Sequence, residues 1–101
     1  MKLYDLEPSG NCYKIRLFAA LANIELQLEP VNFLAGDHKK APVIELNPWG
    51  ELPVLVDNQV ILRDSQAILV YLARQYGGHQ WRWFLQQQWQ PSLLAQYGRC
   101  Q

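Results

Sequence analysis

The sequence predicts an α/β domain whose helices cover one mixed four-stranded sheet. First, the chain has 101 residues and 50% of them are apolar, which is enough for one compact core and too few for two. Second, strand-like and helix-like segments follow in the order βαβ, loop, ββα. Third, each segment has an apolar face, and packing the helices on a single sheet buries all of these faces together.

The first part of the chain predicts a strand, a helix and a second strand. Lys2–Leu6 has the pattern of a short strand, and turn-forming residues separate it from a helix over Cys12–Asn23. A second strand is predicted over Glu25–Asn32, and the helical crossover makes the two strands parallel. The residues predicted on the core side are Ile15, Phe18, Ala19 and Ala22, with Leu17 and Leu21 widening the helical stripe, and Leu26, Leu28 and Val31 on the strand.

The second part of the chain predicts a connection, a hairpin and a helix. Residues 33–48 contain a glycine, two lysines and two prolines, a composition typical of a mobile connection with at most a short helix. Two runs rich in β-branched residues then flank a tight turn and predict an antiparallel hairpin, and an Asp-Ser pair offers a cap for the last helix. The predicted bounds are Pro42–Leu46 for the short helix, Pro53–Val56 and Val60–Leu62 for the hairpin strands, and 64–78 for the capped helix.

Charge and cysteine content exclude several classes of protein. The nine basic and nine acidic side chains cancel, so nothing favours nucleic acid or an anionic membrane, and we expect a small-molecule partner. Cys12 and Cys100 form neither a Cys-x-x-Cys pair nor a zinc set, so we expect no metal and a reduced, cytoplasmic setting. The apolar runs are too short to span a membrane, and the N-terminus lacks the pattern of a signal peptide.

Four separated motifs resemble one protein family. Residues 47–56 read Asn-Pro-Trp-Gly-Glu-Leu-Pro-Val-Leu-Val, and residues 62–68 read Leu-Arg-Asp-Ser-Gln-Ala-Ile. Both segments resemble the glutathione-binding, thioredoxin-like N-terminal domain of glutathione S-transferases, and the likeness covers residues 1–79. Residues 36–40 resemble the phi class, and Ser9 falls where the serine-type classes, phi, theta and zeta, place their serine. The resemblance implies glutathione as a substrate and a small electrophile as its reaction partner.

Seven residues are implied in glutathione binding by this resemblance: His38, Lys39, Glu51, Leu52, Pro53, Asp64 and Ser65. In the family, a cis Leu52-Pro53 bond turns the Leu52 backbone toward the cysteinyl part of glutathione. Asp64 and Ser65 match the positions that hold the γ-glutamyl end, and a helix N-terminus suits its carboxylate because the free N–H groups carry partial positive charge. Asp64 is one methylene shorter than the glutamate that the family usually has there.

The opposite end of glutathione is assigned by the same resemblance to a basic pair. His38 and Lys39 would hold the glycine carboxylate, and a cation suits that task. Glu51 departs from the family pattern, which commonly has glutamine or lysine at this place. A second carboxylate there would repel the glycyl end, so we expect either that Glu51 points away or that affinity is reduced.

Three residues at the start of the first helix are candidates for the chemistry. Ser9 can donate its hydroxyl hydrogen to the glutathione thiolate and so favour ionisation of the thiol. Cys12, near a helix N-terminus, can have a lowered pKa and form a mixed disulfide with glutathione, or it can face the core as a small apolar residue. Asn11 is a third donor, or simply a turn-forming residue.

Residues 80–101 do not resemble the all-helical domain that follows in the family, so the family domain is predicted to be truncated. This Trp- and Gln-rich segment reads as a disordered tail, a docking helix over Trp83–Trp89, or a stretch outside the family's frame. An apolar face left without that domain favours self-association, as a homodimer or a larger assembly. Three functions stay open: a glutathione transferase, a non-catalytic glutathione-binding or protein-docking module, and glutaredoxin-like thiol exchange through Cys12.

Overall fold

A computed structural model describes residues 1–78, and within them a four-stranded sheet carries helices as the sequence predicts. The strand order is β2-β1-β3-β4, with β1 and β2 parallel and the other pairs antiparallel. The α/β, thioredoxin-like fold class is therefore confirmed. The elements are β1 Lys2–Asp5, α1 Gly10–Leu21, β2 Gln27–Pro30, a 3-10 helix Asp37–Lys39, α2 Val43–Leu46, β3 Val54–Asp57, β4 Val60–Leu62 and α3 Ser65–Tyr76.

Helix α1 packs on the sheet through a narrow face. Cys12, Ile15 and Ala19, spaced three and four residues apart, are buried. The prediction that Leu17 and Leu21 widen the buried stripe is wrong, since 44% and 63% of their surfaces are exposed. Leu17 and Leu21 each follow a buried residue of this face, Ile15 or Ala19, by two positions. Two residues turn an α-helix by about 200°, so both leucines lie on the side of α1 opposite this face.

Strand β2 lies at the edge of the sheet, which explains a second difference from the prediction. Val31 is buried and Leu26 packs partly against the core, as expected. Leu28 pairs with the fully buried Leu3 of β1, yet 42% of its surface is exposed. An edge strand has a neighbour on one side only, so apolar alternation along the strand does not ensure burial.

The core lies between the sheet and helices α1 and α3. Helix α3 contributes Ala67, Ile68, Tyr71 and Leu72, all buried as predicted. Fully burying one such aliphatic side chain stabilises the fold by about 1.5–3 kcal/mol. The central cluster contains Leu3, Ile15, Leu55, Leu62, Ile68, Tyr71 and Leu72.

The connection between β2 and β3 contains more regular structure than its composition predicts. The short helix is confirmed at Val43–Leu46, and a 3-10 helix precedes it at Asp37–Lys39. Gly36 opens that 3-10 helix in a left-handed conformation, with φ of 78°. Within residues 1–78, two peptide bonds are cis: Leu52-Pro53, as the family resemblance implies, and Ala41-Pro42, which nothing in the sequence indicated.

Candidate functional site

The strand register brings the four segments that carry candidate residues to the same end of the sheet. Tyr4, near the end of β1, pairs with Val54, the first residue of β3, and Leu55 pairs with Leu62, the last residue of β4. The parallel strand β2 also ends at this end of the sheet, where Asp5 pairs with Pro30. The connections that leave β1, β2 and β4 and the loop that enters β3 therefore meet there. The candidate residues lie on these connections or in the first turns of the helices that follow them.

Ser9 caps helix α1 through its side-chain oxygen. Its backbone is extended, with φ of −74° and ψ of 128°, and its Oγ accepts a hydrogen bond of 3.3 Å from the Cys12 N–H. The cap uses the Ser9 oxygen as an acceptor, so the hydroxyl can in addition donate its hydrogen to a sulfur atom. Asn11, in the first turn, is exposed. The cap thus places the Ser9 hydroxyl at the N-terminus of α1.

Cys12 has the environment of a core residue. Its side chain is fully buried, and its Sγ accepts a hydrogen bond of 3.4 Å from the Leu6 N–H. Burial raises the pKa of the Cys12 thiol, although the hydrogen bonds with Leu6 and Ser9 act in the opposite direction. A thiol that is buried and protonated is neither accessible nor nucleophilic, so these observations favour the packing interpretation over the exchange interpretation.

His38 and Lys39 lie on the 3-10 helix after β2. The His38 imidazole stacks on the Phe33 ring, with the ring centroids 4.1 Å apart and the planes at 9°. Its Nδ1 is buried and has no hydrogen-bond partner within the described residues. The Lys39 Nζ donates a hydrogen bond of 3.0 Å to the Trp49 carbonyl. The basic pair is thereby tied to the loop that precedes β3.

That loop, residues 47–51, is organised by Asn47. The buried Asn47 side chain donates through Nδ2 to the Glu51 carbonyl at 3.0 Å and accepts through Oδ1 from the Trp49 N–H at 3.2 Å. Gly50 has φ of +67°, and a Cβ at this position would lie 2.6 Å from the His38 carbonyl oxygen. Only glycine fits this contact, so the loop and the His38 segment are packed into one unit.

Glu51 ends this loop, and Leu52 and Pro53 follow it. Pro53 is buried and Leu52 is half-buried, next to the first residue of β3. Glu51 is exposed, and its backbone carbonyl, not its carboxylate, takes part in the loop. That Glu51 points away from the candidate site stays a prediction.

Asp64 and Ser65 divide the tasks at the start of α3. The Asp64 Oδ1 accepts from the Gln66 N–H at 2.7 Å and from the Ala67 N–H at 3.4 Å, so Asp64 is the capping residue. Ser65 is the first helical residue. In this turn Asp64 accepts hydrogen bonds from the amides of the three residues that follow Ser65, Gln66 to Ile68, and not from the Ser65 N–H. The preceding Arg63 donates through Nε to the Leu46 carbonyl at 2.6 Å, which joins this corner to α2.

An open apolar pocket of about 740 Å³ lies beside the Ser9 turn. Sequence reasoning missed its residues, since the ends of β1 and β2 form it together. Its lining combines apolar residues with three charged ones. The apolar residues include Leu6, Pro8, Val31, Phe33 and Leu34, and the charged ones are Asp5, Glu7 and Arg16. Within residues 1–78, three or more His, Cys, Asp or Glu side chains never gather closely enough to hold a metal ion, and none of the helices could cross a membrane.

Comparison with known proteins identifies the family. Residues 8–75, well over half of the chain, match the family model described as the N-terminal domain of glutathione S-transferase. Glutathione S-transferase 2 of Anopheles gambiae is 31% identical over 96 residues, which cover 95% of this chain and 46% of that protein. The chain therefore belongs to the glutathione S-transferase family.

Solved structures agree with this assignment. A Bombyx mori glutathione transferase superposes with a TM-score of 0.72 at 35% identity, over 77% of this chain and 36% of that one. A glutathione transferase homologue from Drosophila mojavensis, solved with bound glutathione, superposes with a TM-score of 0.73 at 26% identity, over 76% of this chain and 35% of that one. The chain spans less than half the length of these relatives.

Proposed function

We propose that this chain binds glutathione at the end of the sheet described above and activates its thiol for conjugation to a small electrophile. The observation that carries the proposal is the convergence of four separate segments, after β1, β2 and β4 and before β3, at this one end. The Drosophila mojavensis homologue, which shares this fold, was solved with bound glutathione. Every residue that we assign to the ligand lies between Ser9 and Ser65.

The two ends of the ligand meet complementary charge in this assignment. The γ-glutamyl carboxylate lies at the N-terminus of α3, on the Ser65 hydroxyl and N–H, and the Asp64 carboxylate faces the ammonium group. The glycine carboxylate lies at the His38 and Lys39 pair. Between them, the Leu52 backbone at the cis bond pairs with the cysteinyl unit in the manner of a strand.

The thiol then lies at Ser9. A hydroxyl that donates to the sulfur stabilises the thiolate, which lowers the thiol pKa while Ser9 keeps its own proton. The thiol proton passes to solvent, the sulfur electron pair forms a bond to the electrophilic carbon, and the leaving group departs with its bonding electrons. The apolar pocket beside Ser9 is the place that we assign to the electrophile.

A non-catalytic glutathione-binding module is the second candidate function. It is favoured by the open shape of the pocket beside the Ser9 turn, which leaves a bound electrophile in contact with solvent. Proximity of the two reactants supplies much of the rate enhancement in such reactions, so an open pocket lowers conjugation more than it lowers glutathione binding. We infer that the chain is cytoplasmic and that it associates with itself. Residues 80–101, which the sequence suggests as a contributor to this self-association, lie outside the described residues.

A paired titration and turnover assay separates these functions. We expect the chain to bind glutathione weakly and to conjugate a chloronitroaromatic substrate slowly, with Ser9→Ala reducing turnover and Cys12→Ala preserving most of it. Binding without turnover would favour the module. A mixed disulfide at Cys12 and not at Cys100 after exposure to oxidised glutathione, together with turnover lost in Cys12→Ala, would instead establish thiol exchange. Absence of glutathione binding would overturn the proposal.

A further inference from the structure

The stacked pair of Phe33 and His38 is held by backbone hydrogen bonds on either side. The Gly36 N–H donates to the Phe33 carbonyl at 3.0 Å, and the Asp37 N–H donates to the Asn32 carbonyl at 3.0 Å. These bonds fold the chain back so that the Phe33 ring meets the imidazole almost face to face. The pairing is therefore built into the turn that starts the 3-10 helix.

The stack restricts how His38 can form hydrogen bonds. Both imidazole nitrogens bond in the plane of the ring, and Phe33 covers one face of that ring. Fixing the plane therefore fixes the directions in which the imidazole meets a ligand. The buried Nδ1 without a partner in the described chain is a second observation, because a buried polar atom costs free energy until it is hydrogen-bonded.

Phe33 itself is incompletely buried. About half of its surface, 51%, is exposed, and Phe33 also lines the apolar pocket beside Ser9. The neighbouring Leu34 lines the same pocket but is 98% exposed. The two residues thus share a location and an apolar character, while only Phe33 stacks on the imidazole.

We propose that Phe33 is a positioning residue, which orients the His38 imidazole toward the glycine carboxylate of bound glutathione. This inference rests on the proposed function, since it takes the ligand and the role of His38 from it. It adds a residue that acts on the ligand through another side chain. Phe33 should therefore influence affinity only for ligands that carry the glycine unit, and only while His38 is present.

The experiment is a double-mutant cycle measured with two ligands. Glutathione and γ-glutamylcysteine, which lacks the glycine unit, are titrated into the wild type, Phe33→Ala, His38→Ala and the double variant. We expect Phe33→Ala to raise the dissociation constant for glutathione about fivefold, which corresponds to the loss of one net hydrogen bond. The affinity for γ-glutamylcysteine should be unchanged, and the double variant should bind glutathione as His38→Ala does.

Two further variants separate positioning from structural support. Phe33→Tyr keeps an aromatic ring and should bind glutathione as the wild type does. Leu17→Ala, at an exposed apolar position of α1 outside the candidate site, is the control and should leave glutathione affinity unchanged. The upfield ring-current shift of the His38 ring protons in NMR spectra should vanish in Phe33→Ala and persist in Phe33→Tyr. If Phe33→Ala does not fold, Phe33→Leu removes the ring while keeping an apolar side chain and takes its place in the cycle.

Several outcomes would overturn the inference. The first is that Phe33→Ala loses as much affinity for γ-glutamylcysteine as for glutathione. The second is that Phe33→Ala weakens glutathione binding as much in the His38→Ala background as in the wild type. The third is that Phe33→Tyr binds glutathione no better than Phe33→Ala. In each of these cases wild-type binding of glutathione leaves the proposed function intact. If the wild-type chain binds no glutathione, the proposed function fails and this inference fails with it.

Discussion

One buried polar group at each end of the sheet shows a difference in hydrogen bonding. At the end of β3, the Asp57 carboxylate accepts hydrogen bonds from the Tyr71 hydroxyl, at 2.5 Å, and from the Tyr76 hydroxyl. At the opposite end, beside the start of β3, the buried Nδ1 of His38 has no partner in the described chain. The first arrangement joins α3 to the hairpin and stabilises the fold, whereas the second leaves a buried nitrogen whose desolvation is not offset by a hydrogen bond within the described residues.

The loops at the two ends of the sheet also differ in how closely their backbones pack against neighbouring segments. The loop at residues 47–51 carries a glycine in a left-handed conformation and packs tightly against the His38 segment. The turn at the other end is the two-residue β3–β4 hairpin, where Asn58 has φ of 55°. Asparagine tolerates that conformation without needing the space that only glycine provides. Substitutions should therefore affect ligand affinity at one end and stability alone at the other.

The largest effect is expected from Gly50→Ala. The new Cβ would lie 2.6 Å from the His38 carbonyl oxygen, a backbone atom, at a residue whose φ is +67°. We expect a loss of about 3 kcal/mol in the free energy of unfolding, or a displaced loop with little glutathione affinity. Chemical denaturation and a glutathione titration measure the two effects.

Gly10→Ala is the matched control for Gly50→Ala. A Cβ at Gly10, the first residue of α1, would meet nothing within 4 Å. Because alanine is the better helix former, the free energy of unfolding should stay within about 0.5 kcal/mol of the wild type or rise slightly. Equal stability losses for the two variants would show that the 47–51 loop has no special fit against the His38 segment.

A smaller effect, confined to stability, is expected from Tyr71→Phe. The change removes one hydrogen bond to the buried Asp57 carboxylate and should cost about 2 kcal/mol of unfolding free energy. The dissociation constant for glutathione should not change, because this cluster lies at the far end of β3. Tyr13→Phe, at an exposed position of α1, is the control and should have little effect. A change in glutathione affinity in Tyr71→Phe would contradict the division between the two ends.

The same tyrosine predicts a loss of stability in alkaline solution. Burial raises the pKa of the Tyr71 phenol, and the hydrogen bond with Asp57 raises it further. The unfolded state then loses its phenol proton at a lower pH than the folded state. This contribution to stability is therefore present below the unfolded pKa, about 10, and decreases as the pH rises above it. Tyr71→Phe should flatten the decline in unfolding free energy above that pH, and an unchanged slope would exclude Tyr71 as its source.

The parts of the fold that local chemistry determines could be predicted from the sequence. Runs rich in β-branched residues on either side of a turn located the hairpin, and the Asp-Ser pair located the start of α3 within one residue. The family resemblance assigned Ser9, Leu52 and Ser65 to one site, and that shared role stays a prediction. The strand register that brings these segments to one end of the sheet follows from the βαβ and ββα units themselves.

The parts that depend on neighbouring elements could not be predicted. Leu28 has the alternation of a buried residue, but its strand lies at the edge of the sheet. Cys12 occupies a position where a reactive thiol is plausible, and only the packing of α1 shows that it faces the core. The stack of Phe33 on His38 requires the turn at Gly36, whose geometry the composition of the connection does not reveal.

The smallest effect on stability, paired with a measurable effect on affinity, is expected from Ser65→Ala. Asp64 supplies the cap of α3, so removing the Ser65 hydroxyl should change the free energy of unfolding by less than about 0.5 kcal/mol. If that hydroxyl holds the γ-glutamyl carboxylate, the dissociation constant for glutathione should rise about fivefold. Asp64→Ala supplies the contrast, since losing the cap should cost about 1 kcal/mol of stability. Equal glutathione affinity in wild type and Ser65→Ala would remove Ser65 from the site and leave the start of α3 as a structural corner, like the Asp57 cluster at the other end of the sheet.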